Sequence, residues 1–239
     1  VSNAAKQEIV EYIGAAPDSI DIASEAPHPQ FQKSDDEGQK NAARQRANVP
    51  LDVPVIIFVG GLAPHKNLHG LLDGFERAIR RPHLEDVHLA LVGDFKGGGF
   101  FSNYDSLCNR VHANRELRDR VHFCGYVSDP DLVALYSSAL AVAMPSYSEG
   151  FGLPAIEAMA CAVPVLASDK GALPEVVGDA GIYFDPFDAE SIACAIIEMV
   201  QNHGLRAQLS ANALARASGF TWPRAAQLTL THLEAMSQG

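Results

Sequence analysis

Two glutamates eight residues apart, Glu149 and Glu157, flank a glycine turn in the stretch EGFGLPAIEAMACAVPVLAS, residues 149–168. Gly150 and Gly152 permit backbone angles and close approaches that side chains forbid. Pro154 suits the first position of a helix, where its missing N–H has no helical partner. A helix over 154–161 therefore presents free N–H groups and the positive end of a dipole to an anion such as phosphate. Glu157 falls one turn inside that helix and Glu149 on the loop before it, in a glycine turn that offers it no evident structural use. With a loop between them, the two carboxylates are placed to touch different parts of one ligand, not to form an acid/base pair.

A second cluster lies upstream. Gly60 and Gly61 are followed by Lys66 at the start of a helix, so backbone amides, a dipole and one cation can converge on a diphosphate. The plain alternative is a strand–helix turn with a solvated lysine. The turn is not GxGxxG, which disfavours a dinucleotide enzyme. Gly97, Gly98 and Gly99 lack the Lys-Ser/Thr of a nucleotide-triphosphate loop and read as a mobile loop. Asp129-Pro130-Asp131 looks like a metal-holding carboxylate pair. Its place at the head of a helix over 131–138 instead makes Asp129 an N-cap. The nine histidines show no metal spacing, and neither a metal nor a cofactor is assigned.

These residues need a scaffold, and the chain beyond Pro50 supplies one. Apolar runs at 55–59, 87–92, 121–124, 140–144, 163–167 and 181–184 alternate with helical patterns at 67–80, 104–114, 131–138, 154–161, 189–202, 205–218 and 222–236. That alternation predicts an α/β fold, a Rossmann-like doubly wound parallel sheet. Ligands bind such sheets beyond the carboxyl ends of the strands, the edge where Gly60, Gly93, Tyr126, Ser146 and Asp169 fall. Earlier, 4–12 can form an amphipathic helix with Ile9, Val10 and Ile13 on one side, and 19–23 can form a strand. Residues 27–50 are polar with almost no apolar periodicity, the pattern of a mobile linker.

Composition narrows the classes. The chain has 239 residues, 47% hydrophobic and 20% charged, with a formal net charge of -11. It can bury a substantial core, and its acidity argues against a nucleic-acid partner. No apolar run of about 18 residues is present, and no charged-then-apolar leader opens the sequence, which suggests a cytoplasmic protein. Cys108, Cys124, Cys161 and Cys194 are widely spaced, as reduced thiols would be.

Glu149, the GFGLP loop, Glu157 and the EAMA helix resemble the Glu-x7-Glu signature of retaining glycosyltransferases with the GT-B fold, family 4 (group 1). The resemblance runs in order through VGGLAPHKNL, LALVGD, VHFCGYVSDPDLVALY and LPEVVGDAGIYFDPFD, covering residues 50–220. It implies the C-terminal half of a GT-B fold: residues 51–239 as the nucleotide-sugar-binding domain with a C-terminal crossover helix, and 1–50 as the end of an N-terminal acceptor domain plus a linker. Most of that acceptor domain would be missing. Leu228, Leu230 and Leu233 would then be partly exposed on the last helix. By resemblance, Gly60, Gly61 and Lys66 hold the donor diphosphate, and Tyr126 and Val127 line the base. Phe151, Gly152 and Leu153 form the donor loop, Glu149 faces the sugar, and Glu157 accepts the ribose hydroxyls.

Many family members carry arginine where Gly61 stands, leaving one fewer cation here, although His65 can supply partial charge. Glycine is common where Ala162 stands, a departure expected to touch packing alone. The implied reaction is transfer of a hexose, GDP-mannose being the first donor expected, to a hydroxyl acceptor with retention and no divalent metal. Lys66 and Glu149 are the expected catalytic residues, and the fragment alone is expected to turn over poorly. The full enzyme would build polysaccharide and associate peripherally with a membrane. The alternatives are a non-catalytic nucleotide-sugar-binding module and a GT-B epimerase or phosphorylase.

Overall fold

A computed structural model describes residues 1–95 and 103–237. The glycines at 97–99 lie outside the described residues. The helices are α1 Asn3–Glu8, α2 Glu37–Arg46, α3 Leu68–Ile79, α4 Tyr104–Ala113, α5 Arg115–Arg118, α6 Asp129–Ser137, α7 Leu153–Ala160, α8 Leu173–Val177, α9 Ala189–Gln201, α10 His203–Ala217 and α11 Trp222–Ser237. The strands are β1 Val55–Val59, β2 His88–Val92, β3 Val121–Gly125, β4 Ala141–Met144, β5 Val165–Ser168 and β6 Gly181–Phe184. All six pair in parallel in the order β3-β2-β1-β4-β5-β6. This is the doubly wound sheet anticipated from sequence. Its central strands read as unbroken runs such as VIIFV because helices cover both faces.

One face buries residues of α2, α6, α7 and α8, and the other those of α3, α4, α5 and α9. α3 shows how sequence selects the face: Leu68, Leu71, Leu72, Phe75, Ala78 and Ile79 are buried, spaced three and four apart. The order reverses between β1 and β4, which pair through Ile56 with Ala141 and Ile57 with Val142. In open sheets of this kind such a switch point, beyond the carboxyl ends of the strands, is where ligands bind.

The first fifty residues depart from expectation. Residues 27–50 are not a mobile linker. Asp36 caps α2 by accepting from the Gln39 N–H at 3.0 Å. Phe31, Ala43, Ala47 and Val49 join the core beneath α6. Alanines pack through small area, so this helix carries too little hydrophobic contrast for its periodicity to show in sequence. No strand forms at 19–23, where a 3₁₀ turn opened by Pro17 occupies Pro17–Ser19. The helix expected over 4–12 is α1 followed by a π-helical turn, Ile9–Ile13, that Gly14 ends at φ 74°. Ile13 is 76% exposed, so the expected apolar face is not buried. On α11, Leu230 and Leu233 are about half exposed, at 49% and 57%, and Leu228 is half-buried. Among the described residues no helix is long and apolar enough to cross a membrane.

Candidate functional site

The loop after β1 carries Gly60, Gly61 and, on a 3₁₀ turn over Pro64–Lys66, the lysine. The loop after β4 carries Ser146 and Glu149. The switch point sets these loops side by side, and Lys66 Nζ lies 2.7 Å from Glu149 Oε1. Ser146, fully buried, donates its hydroxyl to the same oxygen at 2.6 Å. Glu149 therefore has a structural partner, contrary to the sequence reading. The residue that supplies it is 83 positions away, where no local pattern could reveal it.

Backbone ties fix the two loops. Tyr147 N–H donates to His65 C=O at 2.9 Å. Ala172 N–H donates to Glu149 C=O at 2.9 Å, and a Cβ on Gly171 would stand 2.7 Å from Glu149 N, so only glycine lets that chain press so close. Asn67, 3% exposed, does the rest. Its Oδ1 accepts from Gly70 N–H at 3.2 Å, and its Nδ2 donates to Pro145 C=O at 3.1 Å and Pro186 C=O at 2.7 Å. Asn67 sits at φ 52°, a left-handed conformation that asparagine tolerates better than most residues. It was expected to begin the helix whose N-terminus faces the ligand. Instead it is the cap, and its side chain occupies one of those N–H groups. Asparagine just before an apolar periodic run is an N-cap signal that could have located it.

α7 begins differently. Gly152, at φ 97°, is its N-cap with no side-chain acceptor, and Pro154 is at the second helical position, one later than expected. Its first N–H groups have no side-chain cap. Leu153 is 36% exposed, but Phe151 is only 6% exposed, packed edge-on against Phe220 at 5.8 Å. Phe151 anchors the glycine loop in the core. The N-terminus of the chain closes this rim: Ser2 Oγ donates to Gly150 C=O at 2.6 Å and Ser148 Oγ to Glu8 Oε1 at 2.8 Å.

Glu157 is half-buried on α7. Burial, reinforced by the charge of Asp129, pushes its carboxyl up to about 7, and a contact from the Tyr136 hydroxyl at 3.5 Å opposes that shift. The influence of Asp129 sets Glu157 beside the loop after β3, which carries Tyr126, 76% exposed, and half-buried Val127, packed against the core. The helix cap there is Ser128, not Asp129: its Oγ accepts from Asp131 N–H at 3.4 Å. Asp129 is the first helical residue, where its charge suits the dipole. Arg46 donates to Asp131 through Nε at 3.0 Å and Gln30 to Asp129 at 2.7 Å. Among the described residues no group of three or more His, Cys, Asp or Glu is placed to hold a metal ion.

Ala162 also departs from expectation. It adopts φ 60°, and its N–H and that of Val163 bond back to Met159 and Ala158 C=O at 2.9 and 3.0 Å. This is the left-handed helix stop for which glycine is the usual residue. The departure strains backbone; it is not a matter of packing alone.

A glycine turn with one cation, a glycine loop and two separated carboxylates lie on the segments that follow β1 and β4, and the family model for glycosyl transferases group 1 matches residues 39–216. The chain belongs to the group 1 glycosyltransferases. It is 33% identical over 174 residues to an O-antigen chain mannosyltransferase B of Escherichia coli, covering 73% of this chain and 44% of that one. It is 33% identical over 221 residues to a D-inositol 3-phosphate glycosyltransferase of Rhodococcus jostii, covering 92% and 48%. The chain thus spans about half the length of the curated relatives it matches. Sucrose-phosphate synthase of Thermosynechococcus elongatus superposes with a TM-score of 0.82 at 26% identity, over all of this chain and 58% of that one. Anabaena HepE, solved with UDP-glucose, gives 0.82 at 24%, over all of this chain and 62% of that one.

Proposed function

We propose that this glycosyltransferase chain is the donor-binding part of an enzyme that moves a hexose from a nucleoside-diphosphate sugar to a hydroxyl with retention. The observation that carries this reading is the contact between Lys66, on the loop after β1, and Glu149, on the loop after β4 that leads into an α7 start without a side-chain cap. Lys66 and the Leu153 N–H that opens α7 would stabilise the charge that builds on the departing diphosphate, Pro154 having no N–H and Ala155 N–H already donating to Gly152 C=O at 2.9 Å. Glu149 orients the sugar and favours positive charge at its anomeric carbon. Glu157 accepts the ribose hydroxyls, for which an ionised carboxylate has two acceptor oxygens. Tyr126 and Val127 lie against the base, and the backbone of 151–153 takes the sugar side. GDP-mannose is the first donor to test, in keeping with the mannosyltransferase among the relatives. Acceptor recognition is assigned to residues outside this chain, with the exposed apolar side chains of α11 facing that part, so residues 1–239 alone bind donor and transfer poorly.

Calorimetric titration with GDP, UDP and ADP and their sugar conjugates, without added metal, tests the reading. One nucleotide class binds, and Glu157→Ala weakens it. Robust sugar transfer by residues 1–239 alone would contradict the division of labour, and indifference of binding to Glu157→Ala would remove the ribose contact.

A further inference from the structure

We propose that the Lys66–Glu149 ion pair is a latch that the donor diphosphate opens: the ammonium moves from Glu149 to the phosphates, and Ser146 alone then holds the carboxylate. The inference rests on the donor-binding reading and adds to it an order of events. The cation that the proposed site offers to phosphate is paired with a carboxylate, 2.7 Å from Glu149 Oε1. Among the described residues that is its one hydrogen bond, so two of its three N–H donors are unspent. Both side chains are mostly shielded, Lys66 22% and Glu149 10% exposed. Their attraction is therefore stronger than that of a surface pair.

The surroundings allow the lysine to move and forbid the loops to. Tyr147 N–H to His65 C=O and Asn67 Nδ2 to Pro145 C=O tie the loops together, while Gly171 and Ala172 hold the Glu149 backbone. Lysine is a point charge on a flexible stem and can swing without a new backbone shape. A diphosphate presents more negative charge than one carboxylate, so the exchange runs towards the ligand. Glu149 Oε1 then keeps the 2.6 Å bond from Ser146. The carboxylate loses its countercharge only after the diphosphate has arrived, when positive charge on the sugar is about to need it. Ser146 is on this basis a positioning residue for Glu149.

The wild-type affinity is reduced by the fraction of molecules in which Lys66 is latched. Calorimetry with the nucleoside diphosphate that the chain binds, and with inorganic pyrophosphate, tests this in a double-mutant cycle. Glu149→Gln tightens nucleoside-diphosphate binding about tenfold when Lys66 is present, and by less than about twofold in the Lys66→Met background. Equal tightening in both backgrounds would mean that Glu149 only repels phosphate through space, which overturns the latch, as would weaker binding by Glu149→Gln. Glu149→Asp keeps the charge but withdraws it from Lys66. It therefore also tightens binding under the latch and does not under simple repulsion, and it carries the test if the glutamine variant fails to fold. Absence of nucleotide binding by the wild-type chain would sink the donor reading itself, and the latch with it.

Discussion

Two shielded cations, Arg44 and Lys66, show how structure separates a scaffold from a site. Arg44 is 6% exposed and makes five hydrogen bonds, to the Ser138 hydroxyl and to the carbonyls of Pro50, Leu51, Val53 and Ser138, at 2.6 to 3.1 Å. Every nitrogen of its fork is engaged by the scaffold, so it stitches α2 to the end of α6. Among the described residues Lys66 makes one side-chain bond, to a carboxylate on a loop that glycines shape. Saturation marks Arg44 as structural, and the spare donor capacity of Lys66 beside the switch point is what the proposed donor site would use.

Substitution at the two positions should separate stability from binding. Arg44→Met strands several carbonyls and is expected to cost about 3 kcal/mol of unfolding free energy. Denaturant titration should show that loss while nucleotide affinity of the folded fraction is unchanged. Lys66→Met should do the reverse. It removes a charge-assisted contact worth about 2 kcal/mol, roughly a 30-fold loss of nucleoside-diphosphate affinity, with an unaltered circular dichroism spectrum. If both substitutions act mainly on stability, the distinction fails.

Glu157 sharpens the contrast through pH. Its carboxyl is raised from 4.5 to about 7, chiefly by burial, so the folded state holds the proton more tightly than the unfolded chain. The stability this contributes is fully present below about 4.5 and is lost as pH rises through about 7. Glu157→Gln should abolish that decline in unfolding experiments between pH 5 and 8. Nucleotide affinity should run the other way, since the ribose needs the carboxylate. It should fall by up to about tenfold per pH unit below 7, with proton release on binding at neutral pH that Glu157→Gln eliminates.

Two smaller effects probe the departures from the family pattern. A Cβ at Gly61 meets nothing within 4 Å, so Gly61→Arg fits without strain. The added cation should tighten nucleoside-diphosphate binding by about 1 kcal/mol, roughly fivefold. Ala162→Gly relieves a left-handed alanine costing about 1–2 kcal/mol but adds unfolded-state entropy, for a net gain of about 0.5 kcal/mol in thermal unfolding.

The parallel sheet was legible because buried strands of β-branched residues alternate with amphipathic helices, a signal carried by the chain locally. The placement of Glu149 on the loop before α7, Glu157 within α7 and Lys66 on the turn before α3 was legible through glycines and spacing. The partnership between Lys66 and Glu149 was not, because it is created by the reversal of strand order. Nor was the burial of Phe151 visible, since its cover, Phe220, lies 69 residues on. Ser146, Asn67 and Gly171 support the site through contacts to backbone, which leave little trace in residue type. α2 was missed because alanine and the aliphatic part of a buried arginine cover its core face, and neither registers as a hydrophobic stripe.

The most direct measurement is a crystal structure of residues 1–239 with the nucleoside diphosphate that calorimetry selects. The expected density places the phosphates at the β1/β4 switch point, within hydrogen-bond reach of Lys66 Nζ and the Leu153 N–H that opens α7, with the ribose on Glu157 and Lys66 no longer bound to Glu149. Phosphates bound elsewhere on the domain, with the Lys66–Glu149 pair intact, would contradict both the assignment of the site and the exchange that opens it.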